Sequence, residues 1–274
     1  MPKMKTLMSD EDTTPGLAGP NLGEPAGARP GELEPKDDLL RELARPCVEP
    51  VVLTDTTAPY IGFASSRSGT WEPLRQLHPK IQEGTPFIGM SDGQFDLADP
   101  LQFHLVNYKQ FWSLRDDQYH IESVQFGDPG RRSGLSEEFL AVTVVHLGRR
   151  LVPTVSYFGG TKAGAVRKAA EALRMACSAD WAGLGPVHAA SSQFPLPFGR
   201  SVTAVTMEPR TSRETGRQYQ LAVGHPRPAN LEELDVLTKA VQDADFLGRL
   251  RIAIEVYGVR LRTLEEIAQG GAVA

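Results

Sequence analysis

The stretch SVTAVTMEPRTSRETGRQYQLAVGHP, residues 201–226, decides how the rest of the chain is read. Val202, Ala204 and Val205 lead into Pro209, and Tyr219, Leu221 and Val223 alternate with Gln218, Gln220 and Ala222. Two strands are therefore expected to flank a polar loop over residues 210–217. Its Thr, Ser and Gly residues suit a turn, with Gly216 able to take positive φ. Arg210, Arg213 and Arg217 outnumber the one acid, Glu214, so the hairpin tip is basic. Guanidinium groups pair with phosphate oxygens and Tyr219 can stack on an unpaired base, which suits a nucleic-acid backbone. An ordinary solvated hairpin fits the same residues.

Working outward, residues 139–147 and 151–158 read as a second hairpin around the turn Gly148-Arg149-Arg150. Pro153 places its strand near a sheet edge, because proline cannot donate to a ladder. Gly159 and Gly160 break that strand, and the Ala-rich spacing of residues 162–178 predicts a helix. Residues 182–198 read as a Pro, Gly and Ser connection. Upstream, short strands are expected at 51–53, 60–63, 87–90 and 95–97, with a brief helix at 71–77. A longer strand over 101–114 puts Phe103 and Leu105 on one face and leaves His104 and Lys109 to the other. A further strand over 119–126 precedes the loop GDPGRRSG, which adds Arg131 and Arg132. Downstream, Asn230 and Glu233 form a capping box before a helix at 231–241. The β-branched residues near 252–256 predict a strand, followed by a short helix at 263–268.

The 274 residues give room for one large domain or two small ones with a substantial core. At 41% hydrophobic and 23% charged, the composition is that of a globular chain, and no apolar run approaches the roughly 20 residues of a membrane span. A cytoplasmic protein with no membrane partner is expected. Residues 1–50 are acidic and rich in Pro and Gly, which predicts a disordered tail ahead of a globular region at 51–274; a short helix at 37–44 could be selected by a protein partner. Cys47 and Cys177 lie far apart in unlike surroundings and suggest neither a disulfide framework nor a zinc site, and Cys177 is expected to pack on a helix face. The net charge of −5 hides an asymmetry: residues 101–225 carry 14 Lys and Arg against 10 Asp and Glu, and the excess acid lies outside them. A local basic face can dock a polyanion despite the global balance.

Catalytic signals are thin. Gly159, Gly160 and Lys162 sit between a strand and a helix, where backbone amides attract anions, but they lack the spacing of a nucleotide-binding loop, and a helix start that needs room to turn is the preferred reading. His120 and Glu122 have the spacing of a zinc deaminase pair without the cysteines that chemistry needs. Asp116, Asp117 and His120 read as a polar turn. No catalytic residue, metal or cofactor is assigned.

The segments PYIGF, FWSL through YHIESV, and TSRETGRQYQLAV, spanning residues 58–223, resemble phage-type single-stranded DNA-binding proteins built on an oligonucleotide-binding barrel. The resemblance implies a role in DNA replication or recombination, a five-stranded antiparallel barrel with a basic aromatic cleft, and an acidic tail that recruits partners; here the acidic segment is N-terminal, whereas the family carries it at the C-terminus. The resulting expectation is an α+β protein with a β-rich, OB-like barrel and added helices, binding single-stranded nucleic acid without catalysis. Arg210, Arg213, Arg217, Arg149, Arg150 and Lys162 are the expected phosphate contacts, and Tyr219 and Trp112 the stacking rings. A homo-oligomer is compatible with this reading. The alternative is a structural or assembly protein that binds other proteins through edge strands and the tail.

Overall fold

The structure, a computed structural model, describes residues 58–90, 92–116, 120–130, 134–213 and 215–270. The tail, the helix at 37–44, the strand at 51–53, Cys47, Asp117, Tyr119, Arg131, Arg132 and Glu214 lie outside the described residues.

The protein is α+β, with a β-rich core of two antiparallel sheets. The smaller sheet is β1 (Tyr60–Phe63), β2 (Pro86–Gly89) and β3 (Phe95–Leu97), in that order, with helix α1 (Trp71–Leu77) between its first two strands. The larger sheet contains β4 (Leu101–Arg115), β5 (Ile121–Gln125), β6 (Ser136–Leu147), β7 (Arg150–Gly159), β8 (Ser201–Thr211) and β9 (Gln218–Pro228). Its strand order is β7-β6-β4-β8-β9. β4 pairs with β6 along one edge and shares the other, meeting β8 at Leu101, Gln102 and Phe103 and β5 near Trp112. Among the described residues β7 and β9 do not meet, so the path is an open sheet rather than a closed barrel.

Both faces of β6 are buried, which explains its run of apolar residues. Phe139, Ala141 and Val145 join Phe103, Leu105 and Val205 under α2 (Ala163–Ala176) and the smaller sheet. Leu140, Val142, Val144 and Val202 face the other way, under α4 (Leu231–Ala240) and α5 (Ala244–Ala268). The buried stripe of α2 is almost all alanine, so the helix lies close to the sheet. A Cβ on Gly224 of β9 would stand 2.8 Å from the Ala165 carbonyl oxygen, and glycine is what permits this approach.

The expected hairpins, the helices at 71–77 and 162–178, and the capping box are all present. Asn230 Oδ1 accepts from the Glu233 amide at 2.9 Å, and the Glu233 carboxylate accepts from the Asn230 amide at 2.9 Å. Pro153 does lie in an edge strand. The outer edge of β7 is also covered at Val155 and Ser156: the Val155 amide donates to the Pro59 carbonyl at 2.9 Å, the Ile61 amide to Ser156 Oγ at 2.7 Å, and Arg260 to the Val155 carbonyl at 3.1 Å.

Three expectations need correction. The strand at 252–256 and the separate final helix are one helix, α5, because Phe246, Leu250, Ala253, Tyr257 and Leu264 recur at intervals of four, three, four and seven residues and bury a single stripe. The connection at 182–198 contains α3 (Pro186–Ser192). Cys177 is exposed, since it caps the end of α2 rather than lying within its buried stripe.

Candidate nucleic-acid interface

β4 runs antiparallel to both β6 and β8, so the β6–β7 and β8–β9 turns emerge from the same end of the large sheet. Val205 of β8 pairs with Leu101, the first residue of β4. Beyond it, six further residues of β8, through Thr211, pair only with β9. They form a two-stranded ribbon running about 20 Å past the last three-strand row, its first rows packed against the core through Met207 and Ala222 and its tip exposed. Its tip is tied together by the Ser212 amide on the Arg217 carbonyl (2.8 Å) and the Gly216 amide on the Ser212 carbonyl (2.9 Å). Gly216 has φ +66°, the conformation expected of it from the sequence.

Arg210 and Tyr219 are directly opposed, so both side chains stand on one face of the ribbon. Tyr219 is 40% exposed. Arg210 is held by Glu208 at 2.5 Å, whereas Arg213 and Arg217 have no acidic partner among the described residues. In the neighbouring turn Arg150 pairs with Asp96 at 2.5 Å, and the exposed Arg149 has no ion pair among the described residues. Three guanidinium groups with no ion pair among the described residues therefore share one end of the sheet.

The other two expected contacts are not brought there. Trp112 pairs with Glu137 and Gln125 and is half-buried; it lies eleven residues along β4 from Leu101, about 35 Å away. Lys162 follows the far end of β7, with Nζ 5.8 Å from the Phe63 ring centre, and burial pushes its pKa down. The residues meant to stack and to bind phosphate are thus divided between opposite ends of one long strand pair, a separation that local sequence does not encode. At that far end Tyr157, 36% exposed, has the guanidinium carbons of Arg115 and Arg260 5.9 and 5.6 Å from its ring centre. The Asp116 carboxylate accepts from the His120 amide and ring, as a polar turn requires.

No family model, curated protein or solved structure matches the chain.

The ribbon's outward face continues at its foot into a cleft of about 670 Å³, between the β3–β4 junction, the β6–β7 turn and the start of α4. Beneath His146, which lines the cleft, lies a buried polar group. His104, fully buried, places Nδ1 2.9 Å from the Ser201 carbonyl and Nε2 2.9 Å from His146 Nε2. The carbonyl can only accept, so His104 Nδ1 carries the proton, and the neutral ring then accepts from His146 Nε2. Beside them Arg227 donates to both oxygens of Glu233, at 2.7 and 2.5 Å. Burial pushes the Glu233 carboxyl up, but its hydrogen bonds from Arg227 and Asn230 outweigh this and hold it below the ordinary value. The one sequence signal for His104 is the alternation of β4, which puts it opposite Phe103; that the opposite face is also buried depends on α4 and α5.

Burial, reinforced by the neighbouring imidazole of His146, pushes His104 down to about 4. Because the folded value lies below the unfolded one, the contribution to stability is complete above about pH 6.5 and is lost as pH falls through about 4. The full difference is about 3 kcal/mol. Urea midpoints compared at pH 7 and pH 4.5 should fall more in the native chain than in His104→Gln, and equal falls would remove His104 as the cause.

Proposed function

We propose that this protein binds single-stranded nucleic acid along the β8–β9 ribbon and the adjoining β6–β7 turn. The observation that carries the reading is the ribbon itself: an arm projecting past the sheet, with Arg213 and Arg217 unpaired among the described residues and Tyr219 exposed beside Arg210. Exposed cations without acidic partners favour a polyanion, and an aromatic ring on the same face offers a platform for an unpaired base. Arg149 extends the cationic surface; Arg150 must first release Asp96 and contributes less. Trp112 and Lys162 are outside this contact. The proposal does not depend on the barrel of the oligonucleotide-binding resemblance, because an open two-stranded arm supplies both kinds of contact.

The alternative, assembly through edge strands, is weakened at β7, where Pro59, Ile61 and Arg260 contact Val155 and Ser156.

Fluorescence anisotropy with labelled single-stranded and duplex oligonucleotides at two salt concentrations tests the proposal. Single-strand binding that weakens steeply with salt is expected, and no binding at low salt would overturn it. Tyr219→Ala should weaken single-strand binding by about 1–3 kcal/mol while leaving the salt slope unchanged, since a stacking ring neutralises no phosphate.

A further inference from the structure

The cleft at the foot of the ribbon has a charge pattern opposite to that of the arm above it. On the outward face of the sheet, His225 is paired with Ala204 and Ala204 with Gln102, so the face that carries Tyr219 and Arg210 leads directly to Gln102. Gln102 and His146 lie in the cleft, where the Gln102 amide has no hydrogen-bond partner among the described residues and His146 is held by His104. Asp99 and Glu232 stand on the walls, neither of them in an ion pair among the described residues. Arg149 is at the rim.

Carboxylates repel a phosphate but accept hydrogen bonds from the exocyclic amino group of a base, and a glutamine amide matches a base edge that both donates and accepts. A recess of about 670 Å³ is large enough for a mononucleotide-sized group. Resting on the ribbon reading above, we infer that this cleft receives one unpaired base of the bound strand and favours bases whose exocyclic amino group adjoins a ring-nitrogen acceptor, cytosine or adenine, over thymine. Gln102 and Glu232 read the base edge, and Arg149 holds the adjoining phosphate outside. The ribbon thus supplies affinity without sequence preference, and the cleft supplies the preference.

The test uses the full chain and an oligothymidine of about 15 nucleotides, compared with the same oligomer carrying a single central cytosine or adenine. The substituted oligomers should bind about tenfold more tightly. Glu232→Gln and Gln102→Met, which keep side-chain size, should each reduce that ratio towards one. Equal affinity of the native chain for all three oligomers, with steep salt dependence retained, overturns base recognition and leaves the ribbon reading intact. A ratio that survives in both variants overturns the assignment to these residues. Absence of salt-sensitive single-strand binding overturns the ribbon reading, and the cleft inference with it.

Discussion

With Arg210, Arg213 and Arg217 all changed to alanine, the protein is expected to bind a single-stranded oligonucleotide about 100-fold more weakly at low salt. The three residues should not contribute equally. Arg213 and Arg217 have no competing acid among the described residues, so each replacement removes a full charge-assisted hydrogen bond to phosphate, about tenfold in affinity. Arg210 must exchange Glu208 for a phosphate, and its single replacement should cost less. The dependence of log affinity on log salt should flatten by about 0.7 for each phosphate no longer neutralised, or about 2 in the triple variant. Thermal stability should stay within about 0.5 kcal/mol of native, because the tip is exposed and makes no core contact. Unchanged low-salt binding in a folded triple variant would leave these arginines as surface charge and end the ribbon proposal.

The largest effect on stability is expected at the opposite end of the sheet. Glu138, with a side chain only 4% exposed, accepts from Arg115 Nε at 2.7 Å, from Arg115 Nη2 at 2.6 Å and from Ser113 Oγ at 2.5 Å. It joins β6 to the far end of β4, where Phe111, its cross-strand neighbour, packs edge-on against Tyr157. Glu138→Ala removes the carboxylate that accepts from both Arg115 and Ser113 at a site where its own side chain is only 4% exposed, and should cost about 3–5 kcal/mol. Urea denaturation at pH 7 measures this directly. Adding Arg115→Met should recover part of the loss, since removing both members of an ion pair costs less than removing one. A loss below about 1 kcal/mol for Glu138→Ala would show that solvent replaces the carboxylate adequately. Nucleic-acid binding by the folded fraction should be unaffected, because this pair is remote from the ribbon.

Residues whose structure depends on near neighbours were legible in the sequence. The ribbon, its Gly216 turn, the Asn230–Glu233 cap and the edge placement of Pro153 each follow from local hydrogen-bonding and steric rules. The strand expected at 252–256 failed for a related reason. Ile252, Ile254 and Val256 alternate over a short window, but the longer spacing of Phe246, Leu250, Ala253, Tyr257 and Leu264 is what packs against the sheet, and packing overrides β propensity.

The sequence by itself determined an α+β chain, its strongest hairpins and helices, and a basic turn at each of two hairpins, because these rest on period, capping and turn chemistry within a few residues. Only the tertiary structure decided that β4 stands between β6 and β8. That single placement brings Arg149 to the same end as Arg210, Arg213 and Arg217, carries Trp112 and Lys162 to the other, and sets Gln102 and His146 in a common cleft. Strand order is fixed by which apolar faces can be covered together, by α2 on one side and α4 with α5 on the other. That depends on pairings between residues as far apart as His104 and Ser201, whose meeting no local pattern specifies.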